Sequence, residues 1–310
     1  PWTSFIVIPF TLLGIVLLPF TSGLLHIAAF TFDTILSSIT WVANWDGNLW
    51  YQHPSLWTVI TAMIGIFILF LPRGFPARWL GFIWLLPIFY NPQHNNASNF
   101  KQGEMWFNLL DVGQGLAAVI RTKNHVLIYD TGPNKYIGRT VIIPFLKARK
   151  LQHIDKLVIS HTDKDHDGGI EAILKRDDLS VGEILTSAAD EYKVKYPKYK
   201  IEPCQAGRNH WIWDGVTFQI LHPPVDFKSK NTNDISCVLK VNSGDKSILL
   251  PGDISKNIEL LLITNYKSEL QADILVAPHH GSANSSSISF INIVKPKIVL
   301  FSTGYNNAYN

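Results

Sequence analysis

A strand-like apolar run that ends in a cluster of histidines and aspartates constrains this chain more than any other feature. Leu157–Ile159 is apolar, and Gly168-Gly169 and a helix-like pattern from Ile170 follow the cluster. Five side chains that can bind a metal ion lie within seven positions in between: His161, Asp163, Asp165, His166 and Asp167. A loop between a strand and a helix lets neighbouring side chains point at one centre, which neither regular element allows. The segment predicts a metal site in preference to a solvated acidic turn, which has no need of two histidines beside a buried strand.

Side chains of the same kind follow two other strand-like runs. Asp253 closes Leu-Pro-Gly-Asp after Ser247–Leu250, and His279-His280 follows Ile274–Val276. Each motif alone is weak, because Gly-Asp turns and His-His pairs are common in ordinary loops. Three such motifs, each at a strand end, indicate a two-metal hydrolase. Strands that alternate with helices and end in polar loops predict a layered α/β domain with its site at the strand ends.

Charge is distributed unevenly along the chain. Of the 27 basic and 24 acidic residues, only two of each lie before position 100. Three apolar runs cover much of this region: Phe5–Phe20, Trp57–Leu71 and Trp79–Tyr90. Six tryptophans lie near their ends: Trp41, Trp45, Trp50, Trp57, Trp79 and Trp84. This pattern predicts membrane helices with interfacial aromatic belts. The alternative, three buried helices of a soluble core, would leave that part without a polar surface.

The two arginines of the apolar third indicate an orientation. Arg73 and Arg78 flank the turn between the second and third runs, and positively charged loops stay cytoplasmic, so everything after about Asn91 is expected outside the cytoplasm. We expect membrane helices over residues 1–95, a linker over 96–104 and a hydrolase domain over 105–310. Leu24–Ile39 is loosely amphipathic and could lie in the interface or pack in a bundle. The chain begins inside an apolar run, which predicts a piece of a longer membrane protein.

The soluble part contains a basic and aromatic segment. Residues 192–200 hold four lysines and three tyrosines. Phosphate contacts and base stacking are how proteins hold single strands without sequence readout. The segment therefore predicts a nucleic-acid contact, with these candidate residues: Lys193, Lys195, Tyr196, Lys198 and Lys200. A solvated lysine-rich hairpin explains the segment equally well, and the net charge of +3 does not by itself indicate a polyanionic partner.

The two cysteines carry no metal-finger spacing. Cys204 and Cys237 are 33 positions apart, and Cys237 lies inside a strand-like run. We therefore expect both to be packing residues.

The motifs together resemble a known family. Asp130-Thr-Gly, Ser-His-x-Asp-x-Asp-His-x-Gly-Gly, Leu-Pro-Gly-Asp and Pro-His-His-Gly-Ser, in that order, resemble the metallo-β-lactamase fold, an αββα sandwich. Asp111-Val-Gly-Gln-Gly, Ile220-Leu-His-Pro and the His-His-Gly-Ser loop resemble one branch, the ComEC family of DNA-internalisation channels in natural transformation. A membrane region before the hydrolase domain also fits that branch.

The resemblance implies two divalent metal ions and a set of site residues. The implied metal ligands are His161, Asp163, Asp165, His166, Asn233, Asp253 and His280. Asp253 would bridge the two ions, and His280 is preferred over His279 as the last ligand, which leaves the other histidine for the phosphate. The implied catalytic residues are Asp165, His279 and His280.

The donor set departs from the histidine-rich zinc pattern of the superfamily. Asp163 stands where the superfamily has a second histidine, and Asn233 stands where it has another. His222 is the other candidate for that second position, although it resembles a structural His-Pro turn. Because two imidazoles are exchanged for oxygen donors, manganese is favoured and zinc is the alternative.

The family implies a nuclease that hydrolyses the non-transported DNA strand outside the cytoplasmic membrane. The implied partners are single- or double-stranded DNA, the membrane, the remaining channel portion of the same protein and other competence proteins. Two other functions stay open. The domain could be a catalytically weak structural collar of the channel, or a membrane-tethered metallohydrolase of a small ester or phosphoester.

Overall fold

The computed structural model describes residues 3–43, 55–72, 74–89 and 100–304 of the 310-residue chain. The chain divides into two compact units, Pro1–Trp57 and Thr58–Asn310. Several residues used in the sequence predictions lie outside the described ranges: Trp45, Trp50, Arg73, Tyr90 and residues 91–99, which include the start of the predicted linker. The boundaries proposed for the membrane part, the linker and the hydrolase domain stay a prediction.

Four helices form most of the apolar third. Their bounds are α1 (Ile8–Val16), α2 (Gly23–Ala43), α3 (Leu56–Phe70) and α4 (Leu80–Phe89). Among the described residues, one helix is long and apolar enough to cross a membrane, and it lies in α2 over Gly23–Val42. The three runs predicted as spans form shorter helices, because Pro19 follows the end of α1 and Pro72 the end of α3. The longest apolar helix is thus the segment whose placement the sequence left open.

The apolar side chains of these helices face outward. Phe30 of α2, Phe70 of α3 and Phe82 of α4 are all more than half exposed. Large apolar side chains exposed on so many helical turns suit a lipid environment better than water.

A pair of glycines lets α3 and α4 approach closely. A Cβ atom on Gly65 would lie 2.6 Å from the Gly81 carbonyl oxygen, and a Cβ on Gly81 would lie equally close to the Gly65 carbonyl. Small residues at such crossings are the usual means of packing helices without a hydrophobic driving force.

Two six-stranded sheets form the rest of the molecule. The first contains, in spatial order, β1 (Trp106–Leu109), β2 (Ala118–Arg121), β3 (Val126–Tyr129), β4 (His153–Ile159), β5 (Ser180–Thr186) and β6 (Ile201–Pro203). The second contains, in the order β12 to β7, β7 (His210–Trp213), β8 (Val216–His222), β9 (Val238–Ser243), β10 (Lys246–Leu250), β11 (Ile274–Val276) and β12 (Ile298–Leu300).

Strand direction explains why the site can form at one end. Strands β3, β4, β5 and β6 run parallel in the first sheet, and β10, β11 and β12 run parallel in the second. Tyr129 is in register with Val158, and Leu249 with Leu275. The loops that follow these strands therefore leave the sheets at the same edge, as the recurring polar motifs predicted.

Helices cover both outer faces, which completes the predicted αββα sandwich. The helices that follow β3 are α5 (Lys135–Ile137), α6 (Ile143–Ala148), α7 (Lys164–Asp167), α8 (Ile170–Leu174), α9 (Ala189–Lys195), α10 (Lys256–Tyr266) and α11 (Ile288–Val294). One buried cluster lies between the first sheet and α6, α8 and α9, and another lies between the second sheet and α10 and α11. A third fills the space between the sheets, where Leu127 meets residues such as Phe218 and Leu239.

The structure corrects the prediction for the cysteines. Cys204 and Cys237 are buried, as packing residues would be, but they form a disulfide with a Cα–Cα distance of 5.8 Å. Cys204 follows β6 of the first sheet and Cys237 precedes β9 of the second, so sheet stacking brings them together. The spacing of 33 residues gave no sign of this, because it depends on which strands face each other.

Candidate metal centre

Four strand ends converge on one set of side chains. Asp130 follows β3, the loop Ser160–Asp163 follows β4, Asp253 follows β10 and His279-His280 follows β11. Asp165 and His166 lie on α7, the short helix that continues the loop after β4. Side chains separated by more than a hundred positions thus meet between the edges of the two sheets.

One donor group contains four of the predicted ligands. One ligand atom from each of Asp165, His166, Asp253 and His280 lies within 4.8 Å of the others. His280 Nε2 is 3.1 Å from Asp165 Oδ2, and His166 Nε2 is 3.1 Å from Asp253 Oδ1. The two histidine Nε2 atoms are 3.2 Å apart. Two imidazole nitrogens and two carboxylates facing each other at this spacing form a suitable donor set for one divalent ion.

A second group lies beside the first. The buried Nε2 atom of His161 has no hydrogen-bond partner among the described residues, and neither has the buried Oδ1 atom of Asn233. Asp163 Oδ2 is 3.7 Å from His161 Nε2. A buried polar atom without a partner is costly, and a cation held between His161 and Asp163 would satisfy the His161 nitrogen. The orphaned His161 nitrogen, next to Asp163 and with its ring 4.2 Å from that of His166, is the observation that these residues fit a second ion.

The second ring nitrogen of each buried histidine is held by another group. His166 Nδ1 lies 2.7 Å from Asp130 Oδ2, and His280 Nδ1 lies 2.9 Å from the Ser302 carbonyl oxygen. His161 Nδ1 lies 3.0 Å from Ser160 Oγ. Partners of this kind set the ring orientation and leave Nε2 directed at the centre.

Asp130 was not among the site residues predicted from the sequence. The backbone N–H of Ser160 donates to Asp130 Oδ1 over 2.6 Å, so this carboxylate supports both the metal loop and His166. The signal was available in Asp130-Thr-Gly at a strand end, which is a common turn motif and only a weak catalytic one.

The glycines of the metal loop are required by close backbone packing. A Cβ on Gly168 would collide with Pro133, and one on Gly169 would collide with the Thr131 carbonyl oxygen. The Thr131 backbone N–H donates to the His166 carbonyl over 2.6 Å. The Asp-Thr-Gly turn and the metal loop therefore form one packed unit.

Comparison with known proteins agrees with this architecture. Residues 110–305 match the model of the metallo-beta-lactamase superfamily. The chain belongs to the metallo-β-lactamase superfamily. Residues 1–76 match a second family model, Competence protein. The resemblance to the ComEC family that the motifs indicated is confirmed by these two matches in the same order.

Relatives with the same arrangement are longer proteins. The chain is 34% identical over 310 residues to Competence protein ComA of Neisseria gonorrhoeae, and the match covers 100% of this chain and 42% of the relative. It is 28% identical to ComE operon protein 3 of Bacillus subtilis, with 100% of this chain and 43% of the relative covered. The chain thus spans less than half the length of these relatives. Among solved structures, the metallo-beta-lactamase fold protein YhfI of Bacillus subtilis aligns with a TM-score of 0.44 and 12% identity over 66% of this chain and 89% of that one.

His279 occupies a different position from His280 in this superfamily site. The His280 side chain is 1% exposed, whereas that of His279 is 20% exposed with its Nε2 atom 3.9 Å from Asp253 Oδ2. Both residues have left-handed backbone conformations, with φ angles of 49° and 54°. Non-glycine residues rarely adopt this conformation, and it tends to persist where a site requires it.

Negative charge dominates the centre. Asp130, Asp163, Asp165 and Asp253 all contribute carboxylates within or beside the two donor groups. Burial alone would raise the pKa of Asp253, but His166 and the other histidines hold it well below its ordinary value. Burial opposes protonation of His166, yet Asp253 and Asp130 raise its pKa well above the usual range. A site that raises the pKa of the buried His166 in this way has an excess of carboxylate charge, which divalent cations would neutralise.

The basic segment predicted to contact DNA lies on α9 and the turn after it. The Lys193, Lys195, Lys198 and Lys200 side chains are exposed, and Lys200 Nζ lies 2.8 Å from Glu183 Oε1. The three tyrosines face the core. Tyr192 is fully buried and donates to Asp167 over 2.9 Å, and Tyr199 donates to the Leu174 carbonyl over 2.6 Å.

Tyr196 packs against the same buried cluster as the other two tyrosines. The exposed lysines therefore suit phosphate contacts, whereas the rings as placed do not form a stacking platform.

Asn233 lies in a short 3₁₀ helix, Thr232–Ile235, whose Thr232 hydroxyl donates to Asp163 over 2.8 Å. His222 donates from its Nε2–H to the Asp234 carbonyl oxygen over 2.7 Å, which fits the structural role considered for it.

Proposed function

We propose that this chain is the nuclease part of a DNA-uptake system and hydrolyses the DNA strand that is not transported. The single observation that carries the proposal is the donor group Asp165–His166–Asp253–His280 with the orphaned His161 nitrogen and Asp163 beside it. The chain that carries this metal site also matches the Competence protein family, which supports DNA as the substrate.

Two divalent ions, when bound, would supply charge neutralisation at the phosphate and activation of water at neutral pH. The first ion would be held by Asp165, His166, His280 and Asp253, and the second by His161, Asp163, Asn233 and Asp253. We favour manganese over zinc, because Asp163 and Asn233 offer oxygen where the superfamily pattern has nitrogen.

The protein side chains around the ions have separate roles in the proposal. Asp165 is one-third exposed, so it can face both an ion and the attacking water. His279 is the more accessible of the two histidines and can donate to a phosphate oxygen of the substrate. The lysines of α9 and its following turn would hold the strand through its phosphates. We place the hydrolase domain outside the cytoplasmic membrane, where its disulfide would persist.

The decisive experiment uses the full chain in detergent with labelled single- and double-stranded DNA. We expect cleavage that requires added manganese, is weaker with zinc and is lost in Asp253→Asn. Asp245→Asn is the matched control, because Asp245 is an exposed aspartate outside the centre. Absence of cleavage with every metal would contradict the proposal and favour a structural collar. Cleavage of small phosphoesters without cleavage of DNA would favour the small-substrate hydrolase.

A further inference from the structure

Two arginines for which the described residues provide no acidic partner lie at the end of the first sheet. Arg121 is the last residue of β2 and is only 7% exposed. Arg149 directly follows α6. Among the described residues neither guanidinium forms an ion pair, and the buried Nε atom of Arg121 has no hydrogen-bond partner. A buried arginine ordinarily has a carboxylate or several carbonyl groups around it.

Aromatic rings hold both guanidinium groups. The Arg121 guanidinium lies 5.5 Å from the Phe100 ring centre and 5.8 Å from that of Trp106. The Arg149 guanidinium lies 5.6 Å from the same Trp106 ring and 5.5 Å from Phe145. Cation–π contacts orient the guanidinium groups but leave their N–H donors unused.

The two positive charges repel each other. Burial lowers the pKa of Arg121, and Arg149 lowers it further. Glu104, two residues before Trp106, and Asp214, which is bonded to Thr122 next to Arg121, have other partners. Glu104 accepts from the Lys101 backbone N–H over 2.9 Å, and Asp214 accepts from Thr122 and Asn124 over 2.7 Å. Residues 90–99 contain no aspartate or glutamate. An external anion is therefore the group that this pair lacks.

The pair is remote from the metal centre. Arg121 is in register with Val126 at the start of β3, whereas the centre begins at Asp130 after its end. The four residues of β3 between these points place the arginines about 10 Å or more from the metal centre along the strand direction. An anion held by the arginines is thus not the phosphate that the donor groups would hold.

The closeness of Phe100 and Trp106 to the predicted membrane helix α4 in the chain indicates where the anion comes from. Phe100 and Trp106 follow the end of α4 at Phe89, and the ten residues between Phe89 and Phe100 can extend over at most about 40 Å. Trp106 is 39% exposed, although Phe100 beneath it is buried. Exposed tryptophan beside arginine is the composition of protein surfaces at the lipid head-group level.

We propose that Arg121, Arg149 and Trp106 form a binding site for the phosphate head group of an anionic phospholipid. Docking at this site would hold one end of the sandwich against the membrane and direct the metal centre away from it. This inference rests on the location of the hydrolase domain at the membrane, which is part of the proposed function. It does not depend on nuclease activity.

The test uses the full chain in nanodiscs made of phosphatidylcholine alone or with added phosphatidylglycerol. Gln102 is exposed and lies between the linker and β1, so Gln102→Cys carries a donor fluorophore while the two native cysteines remain in their disulfide. Head-group-labelled lipid carries the acceptor. We expect stronger energy transfer in the anionic nanodiscs, decreasing as salt is added.

Removal of the arginines should release the docked state. Arg121→Gln with Arg149→Gln should lower the docked-to-undocked ratio about 30-fold, and Arg149→Gln alone about fivefold. The single variant keeps the test valid if replacement of the buried Arg121 lowers stability. Lys267→Gln with Lys295→Gln removes the same charge from exposed positions elsewhere and should leave the ratio unchanged.

Two results would overturn the proposal. Equal energy transfer in both lipids, insensitive to the arginines, would show that no anionic head group is bound. A 30-fold decrease of oligonucleotide affinity in the double variant, with energy transfer unchanged, would assign the site to the DNA backbone instead. Cleavage measured on the same samples separates this failure from failure of the nuclease proposal, since either can occur alone.

Discussion

At the scale of single residues, Asp130 lies outside the donor set and yet supports it from two directions. It contacts His166 Nδ1 and accepts the Ser160 backbone N–H. Asp130→Asn preserves the shape of the side chain but removes the charge that orients the His166 ring. We expect metal affinity to fall roughly 10- to 100-fold with the fold retained. Calorimetric titration of metal checks the affinity, and circular dichroism checks the fold. Unchanged affinity would mean that Asp130 only closes a turn.

Asn233 tests the proposed metal preference. Asn233→His would restore a nitrogen donor beside His161, so zinc affinity should rise and the advantage of manganese in cleavage should shrink. Bound metal and cleavage rate would be read together across a metal titration. Asn257→His, on the exposed side of α10, is the matched control and should change neither. Two tightly bound zinc ions with full activity in the unmodified chain would contradict the preference itself.

The contact partners of the histidines were beyond the reach of sequence reasoning. Residue types and their spacing indicated which side chains can bind metal, because the motif after β4 places them next to each other. The support of His280 by Ser302 depends instead on the packing of β12 beside β11. Nothing in the local sequence near Ser302 indicates that contact.

At the scale of elements, α9 and the turn after it are proposed to hold DNA by charge alone. Replacing Lys193, Lys195, Lys198 and Lys200 with glutamine should weaken DNA binding. It should also lower the slope of log affinity against log salt by about 0.7 for each phosphate that is no longer neutralised. Cleavage of a small phosphodiester, which is too short to reach the lysines, should keep its rate. An equal decrease on both substrates would point to a damaged centre or fold.

Strands with buried apolar residues were predicted well, and short or exposed elements were not. The predicted runs Leu157–Ile159 and Ile274–Val276 lie in β4 and β11, and the helix-like pattern from Ile170 is α8. Strands β6 and β7 and helices α5, α7, α9 and α11 were missed. β6 has three residues, and β7 alternates exposed and half-buried positions, so their hydrophobic pattern is weak. Sheet pairing, rather than local sequence, decides such elements.

At the scale of the whole molecule, the orientation across the membrane stays a prediction. Lys230 is exposed in the loop after β8, so Lys230→Cys should react with a membrane-impermeant thiol reagent in intact spheroplasts. The disulfide keeps the two native cysteines from reacting. Labelling only after lysis would reverse the orientation.

The disulfide should make a large contribution to the stability of the sandwich. Closing a loop of about 33 residues is worth roughly 3–4 kcal/mol in the chain-entropy model. Cys204→Ser with Cys237→Ser should lower the free energy of unfolding by about that amount, measured by denaturant titration. The same shift should follow from adding reductant to the unmodified chain. No shift in either case would indicate that the two sulfurs act only by packing.

The same bond closes a ring of polypeptide that contains β7, β8 and the turn bearing Asn233. Lys228 and Lys230 are exposed within this ring. A trypsin cut there would open the ring without separating the two pieces, because the sulfurs still join them. The cut protein would migrate at full mass on a non-reducing gel and as two fragments on a reducing one. In an environment rich in proteases, such a chain would tolerate a break in this exposed loop without losing the part of its metal centre that follows the cut.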